Sequence, residues 1–119
     1  MMHTERRTAQ RIEANLAVTV TGDPAAAKGK ALNISTSGIY FESPHFMAPL
    51  TKVRLELHVP DPDPKRGEAA VTCDGIVVRV EPEKKDPALS LYRVAILFTY
   101  VSEISLKSLD RFIRSRLSG

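Results

Sequence analysis

Apolar and polar positions alternate most cleanly between Lys52 and Val59, with Val53, Leu55, Leu57 and Val59 on one side and Lys52, Arg54, Glu56 and His58 on the other. A two-residue period with one apolar face predicts a strand with one side in the core and the other in water. The same period runs through Leu16, Val18 and Val20, giving a strand over 15–21. It returns over 30–34 and again at Ile39, Tyr40, Phe41 and Glu42, with a turn at Thr36 to Gly38 joining these two into a hairpin-like unit. In the next apolar stretch Val71 and Cys73 are odd but Ile76, Val78 and Val80 are even, so the inward face changes phase, and a bulge at Gly75 is the expected cause. Tyr92, Val94, Ile96, Phe98 and Tyr100 alternate once more, while Ala95 and Leu97 make the reverse face apolar as well. That second face predicts a cover.

The C-terminal segment changes period. Leu106, Leu109, Phe112 and Ile113 recur at helical spacing, with Ser102 placed as the N-cap and Val101 and Leu106 placed to staple across it. This helix is the expected cover, and Arg111, Arg114 and Arg116 complement the negative end of its dipole. Pro60, Pro62 and Pro64 mark an exposed connector, because proline has no N–H to give to a sheet interior. Five or six strands with one terminal helix read as a small antiparallel barrel. With 119 residues the chain makes one domain, divided into an N-terminal arm over 1–12 and a barrel with its helix over 13–119.

Composition narrows the class. A 43% hydrophobic and 26% charged chain folds as a globular protein, and no apolar run is long enough to serve as a signal peptide or to span a bilayer. The lone Cys73 cannot form an internal disulfide and reads as a core thiol, which suits a cytoplasmic location. His3, His45 and His58 lie far apart without metal-ligand spacing, so no metal site is expected. Asp61, Asp63 and Glu68 sit in the proline loop, a poor platform for acid and base chemistry, and no Gly-rich phosphate loop with a lysine occurs. These features argue against an enzyme and against a cofactor.

The net charge of +3 matters through its placement. Arg6, Arg7 and Arg11 cluster ahead of the first strand, and Asn33-Ile34-Ser35-Thr36-Ser37-Gly38 follows the second. If Leu32 and Ile34 point inward, Asn33 and Ser35 share the outer surface, where their side chains offer a guanine edge both donors and acceptors. Gly38 is expected at positive φ, leaving room for a flat ring, and arginine forks pair with phosphate oxygens and with guanine O6 and N7.

The spacing Arg7-x-x-x-Arg11 followed by Asn33-x-Ser35-x-x-Gly38 resembles the PilZ domain over about Glu5 to Phe112. The resemblance implies a mainly β fold, a six-stranded antiparallel barrel with a C-terminal α-helix and a flexible arm. It further implies that Arg7, Arg11, Asn33, Ser35 and Gly38 bind cyclic di-GMP, with Arg6 placed to reach a second ligand molecule. Ala95 stands where the family often has glycine. No second domain is expected, so the chain resembles stand-alone receptors that order their arm on binding and signal through an unidentified protein partner. Motility, exopolysaccharide and biofilm processes are those the family controls. One alternative is a non-binding adaptor on the same scaffold; in either case Phe46, Met47 and Leu50 are expected as an exposed docking patch. Another is a barrel for single-stranded nucleic acid, which most aromatics, being in core phase, argue against.

Overall fold

The computed structural model describes residues 10–22 and 27–118. Among the described residues, seven strands and one helix follow one another: β1 (Ile12–Glu13), β2 (Ala17–Gly22), β3 (Ala27–Ile34), β4 (Gly38–Ser43), β5 (Lys52–Pro60), β6 (Glu68–Glu81), β7 (Tyr92–Val101) and α1 (Glu103–Ser118). A 3-10 turn, Pro64–Arg66, lies between β5 and β6. Every pairing is antiparallel, and the order β3-β2-β5-β6-β7-β4 closes through β3–β4 into a six-stranded barrel. Among the described residues, closure leaves no long unpaired edge.

β5 keeps its expected alternation, with Val53, Leu55, Leu57 and Val59 buried and the intervening residues exposed. Ile34, Ile39, Phe41, Val71, Val94 and Ile96 complete the barrel interior. β1 extends the edge that β2 makes on β3. Ile12 pairs with Ile34 and Glu13 with Asn33, Ala14 N–H donates to the Leu32 carbonyl at 3.1 Å, and Ala31 N–H donates to the Leu16 carbonyl at 2.8 Å. The barrel pattern therefore begins at a buried Ile12, inside the segment expected as arm.

The phase change in β6 lies at a different residue from the one expected. Val71, Cys73, Gly75 and Val77 all face inward, and the inward set resumes at Val80, so Val78 is the extra residue and points out at 51% exposure. The register also shifts at Gly75, but there the extra residue is Thr99 on β7. Gly75 is needed for a separate reason: a Cβ there would sit 2.5 Å from the Ile96 side chain. Alternation within β6 could not reveal which of two facing strands carried each insertion.

The helix also takes a different position from the one expected. It packs on β6, β5 and β1, leaving the apolar outer face of β7 uncovered, with Leu97 48% exposed. Leu109, Phe112 and Ile113 enter the core as the periodicity requires, but Leu106 is exposed and Ser105 is buried in its place. Ser102 caps the helix, its Oγ accepting from Ser105 N–H at 3.2 Å. Beyond the last β6–β7 pair, Thr72 N–H donates to Ser105 Oγ at 3.1 Å, tying the helix to the barrel.

The proline connector is docked against this helix. Arg111 Nη2 donates to Asp61 Oδ1 at 3.1 Å, and Asp63 N–H donates to the same oxygen at 2.8 Å. The Asp63 backbone N–H foremost, then Arg111, holds the Asp61 carboxyl below its usual range. Phe46 and Met47 also depart from the exposed patch expected of them. Both are half-buried against the core, and Phe46 meets Tyr92 edge-on at 5.5 Å. Leu50 alone of the three is exposed.

Two outcomes follow from this packing. Phe112→Ala should cost about 3–5 kcal/mol in urea unfolding, because a fully buried ring links helix and barrel. Burial first, and the neighbouring Asp74 carboxylate second, push the Cys73 thiol up to about 11 from an ordinary 9.0. The folded thiol holds its proton while the unfolded one loses it, so the native state loses stability as pH rises from 9.0 toward about 11. Urea titrations should show the wild type falling relative to Cys73→Ala across that window and running parallel to it below.

Candidate functional site

The β1–β3 pairing delivers the first functional side chain. Because Ile12 lies opposite Ile34, Arg11 is set just beyond the end of β3, and its Nη1 donates to Asn33 Oδ1 at 2.8 Å and to the Gly38 carbonyl at 3.4 Å. Three expected site residues are thus joined in one cluster. Arg11 remains largely solvent-facing, and partial desolvation draws its pKa below the usual value while leaving it a cation at neutral pH. Its remaining N–H groups can serve an anionic or guanine-like acceptor. Arg6 and Arg7 lie outside the described residues.

Leu32 is the reason Asn33 stands where it does. The β3–β4 register shifts between Ala31 and Asn33, so Ala31 and Ile34 face the core and Leu32 is the bulged residue, in place of the expected inward Leu32 and Ile34 pair. Asn33 is half-buried and aligned with Tyr40 on the outer face.

Ser35 does not share that face. It is fully buried, and its Oγ accepts from Ser37 N–H at 3.1 Å and lies 3.1 Å from Ser37 Oγ. The hydroxyl shapes the hairpin turn, which is closed by Ser35 N–H donating to the Gly38 carbonyl at 2.9 Å. Ser37 in turn is fixed to β7, its carbonyl accepting from Phe98 N–H at 2.9 Å.

Gly38 is required by proximity. It has no positive φ, contrary to expectation; instead a Cβ would lie 2.6 Å from the Ile96 carbonyl oxygen and 3.4 Å from Arg11 Nη2. Its bareness lets β4, β7 and the Arg11 guanidinium converge.

The register carries the outer face away from this cluster. Asn33 aligns with Tyr40, Tyr40 with Ala95 and Ala95 with Arg79, while Gly38 aligns with Leu97. Tyr40 donates its hydroxyl to Glu81 Oε1 at 2.7 Å, and that bond foremost, aided by partial burial, raises the phenol's pKa. The Arg79 guanidinium stands 5.9 Å from the centre of the Tyr40 ring. None of these neighbours was among the site residues expected from sequence. Tyr40 alone carried a signal, being out of phase with the inward Ile39 and Phe41. Among the described residues, no group of three or more His, Cys, Asp or Glu is placed to hold a metal ion.

Comparison with known proteins settles the lineage. The model of the PilZ domain family matches residues 5–115, nearly the whole chain. The chain belongs to the PilZ family. No curated protein matches it in sequence. Among solved structures this PilZ chain is similar to the Bacillus subtilis inhibitor of motility MotI/DgrA, with a TM-score of 0.74 and 19% identity over 95% of its own length. It spans only 52% of that chain. It is also similar to the PilZ domain with c-di-GMP of YcgR from Escherichia coli, with a TM-score of 0.65, 16% identity and coverage of 95% and 93%. A third relative in shape is the PilZ domain of CeSA from a cellulose-synthesizing bacterium, with a TM-score of 0.61, 16% identity and coverage of 92% and 99%. At these identities the likeness is one of fold.

The close approach at Gly38 has a measurable consequence. Gly38→Ala forces a methyl against a backbone oxygen held in the β4–β7 ladder, so the expected cost is about 1–3 kcal/mol by thermal or urea unfolding. A loss near zero would show that the two strands can separate freely there.

Proposed function

We propose that this PilZ domain is a non-catalytic receptor for cyclic di-GMP. The observation that carries the reading is the Arg11 guanidinium bonded at once to Asn33 and Gly38, one arginine of the motif meeting two residues of its second half. Arg11, held by β1 and not fully satisfied by its partners, offers donors to a phosphate or to the O6 and N7 edge of guanine. Asn33 offers an amide beside it. Arg7 stands one helical-turn spacing earlier in the sequence and supplies the second cation of the motif, with Arg6 available to a second ligand molecule. Ser35 serves by holding the turn that sets Asn33 and Gly38 in place.

Family membership and the fold shared with the c-di-GMP-bound domain of YcgR support this ligand. The fold shared with the inhibitor of motility MotI/DgrA supports an output through a protein partner and, among motility, exopolysaccharide and biofilm processes, favours motility. Binding orders the segment ahead of Ile12 over the barrel, and the partner reads the surface so formed. A cytoplasmic protein fits this role. Among the described residues no helix is long and apolar enough to cross a membrane.

Isothermal titration of cyclic di-GMP into the wild type and into Arg7→Ala and Arg11→Ala tests the reading, with GTP as the control ligand. Saturable binding by the wild type, weakened at least tenfold in each variant, is the expected result. No heat from folded wild type would instead favour an adaptor that uses the barrel for protein contacts alone.

A further inference from the structure

Leu50 is an apolar side chain in a place where the fold has no use for one. Thr51 N–H donates to the Ala48 carbonyl at 3.2 Å and Thr51 Oγ1 donates to the same oxygen at 2.7 Å, closing a turn with Pro49 second and Leu50 third. Leu50 has a φ of 73°, the left-handed value that a type II turn asks of its third residue and that glycine adopts without strain. A leucine holds this backbone at a cost, and at 75% exposure its side chain recovers none of that cost by burial. The turn is nonetheless fixed to β6, with Leu50 N–H donating to the Val77 carbonyl at 2.7 Å and Val77 N–H donating to the Thr51 carbonyl at 2.9 Å. A strained, rigid and exposed leucine is the form of an anchor for another molecule.

An open groove of about 650 Å³ begins two residues further along β5 and is lined by Lys52 and Arg54. Val53 and Ile76 give it apolar surface, Asp74 lines it in an ion pair with Arg54 at 3.0 Å, and Thr99, the extra residue of β7, borders it. At about 3.3 Å per residue, Leu50 stands roughly 7–13 Å from the groove along the same strand direction. We propose that the occupant of this groove is a second copy of the chain, with Leu50 of each copy seated in the groove of the other about a two-fold axis. A projection and a recess side by side on one surface satisfy each other reciprocally, which closes a pair and leaves no free end for further growth. The rim carries both signs of charge, so the face does not meet its own copy with a field of one sign. Lys52 joins none of the ion pairs among the described residues, and its long stem, set between Leu50 and the groove, can bring the ammonium to Asp74 of the other copy. The fixed turn docks with little loss of entropy. One leucine and one groove per copy fall short of a standard interface, so the pair is weak and forms as concentration rises. None of this depends on the receptor reading.

Sedimentation of the full chain without nucleotide, over about 10 μM to about 1 mM, tests the proposal. The wild type should move from the mass of one 13.1 kDa chain toward twice that mass as it is concentrated. Leu50→Gly should remain monomeric over the same range, while its thermal midpoint stays equal to that of the wild type or rises, because glycine relieves the turn. Thr99→Trp, which fills the groove, should associate at least tenfold more weakly than the wild type. Leu89→Ala, which removes an exposed leucine from a different loop, should associate as the wild type does. A wild type that is monomeric throughout would overturn the proposal and leave Leu50 to a different protein. Association unchanged in Leu50→Gly or in Thr99→Trp would overturn the seating of leucine in groove. A clearly lower thermal midpoint for Leu50→Gly would assign Leu50 to the packing of its own chain and overturn its role as an anchor.

Discussion

The barrel depends on what β3 does with its two edges. One edge pairs first with β2 and then, past Leu16, with β1; the other pairs with β4 and closes the sheet. Lys30 has partners on both sides, Ala17 and Glu42, and Ala31 between the strands is almost wholly buried. The bulge at Leu32 lets the strand bend enough to complete the circuit. Without that closure the core residues of β4 and β7 would lose one wall.

The candidate site follows from the same constraint. Because β1 completes the β3 edge, Arg11 is carried to Asn33 by main-chain pairing, and the bulge leaves Asn33 on the outer face after Ala31 has turned in. Ser35 then points inward to hold the turn, and Gly38 brings β4 within reach of the β7 backbone. Recognition chemistry is thus mounted on paired strands and a closed hairpin, which hold geometry better than a free loop. The helix takes no part in that face. It seals the core at β6, β5 and β1, and its Arg111 pins the Asp61 loop, leaving the β7 surface open to whatever the site binds.

Much of this was legible in the chain. The alternation of Val53, Leu55, Leu57 and Val59, the helical spacing of Leu109, Phe112 and Ile113, and the Ser102 cap are local properties, set by the period of each element and the chemistry of its ends. The association of Arg11 with Asn33 and Gly38 was legible as a motif, and the structure brings those three together.

The tertiary structure decided the rest. Whether Leu32 or Ala31 faces the core, and whether the β6 phase flips at Gly75 or Val78, depends on which of two facing strands holds an extra residue. The facing strand decides it, so alternation within one strand does not report it. Ser35 likewise turned inward because the hairpin needed its hydroxyl, a demand that arises only when Gly38 closes the turn. The helix chose β6, β5 and β1 over the apolar β7 face because its buried stripe fits an open flank of the core, and a stripe read in one dimension names no partner. Sequence by itself determined the elements and the chemistry they carry; pairing across the closed barrel determined which of those side chains meet.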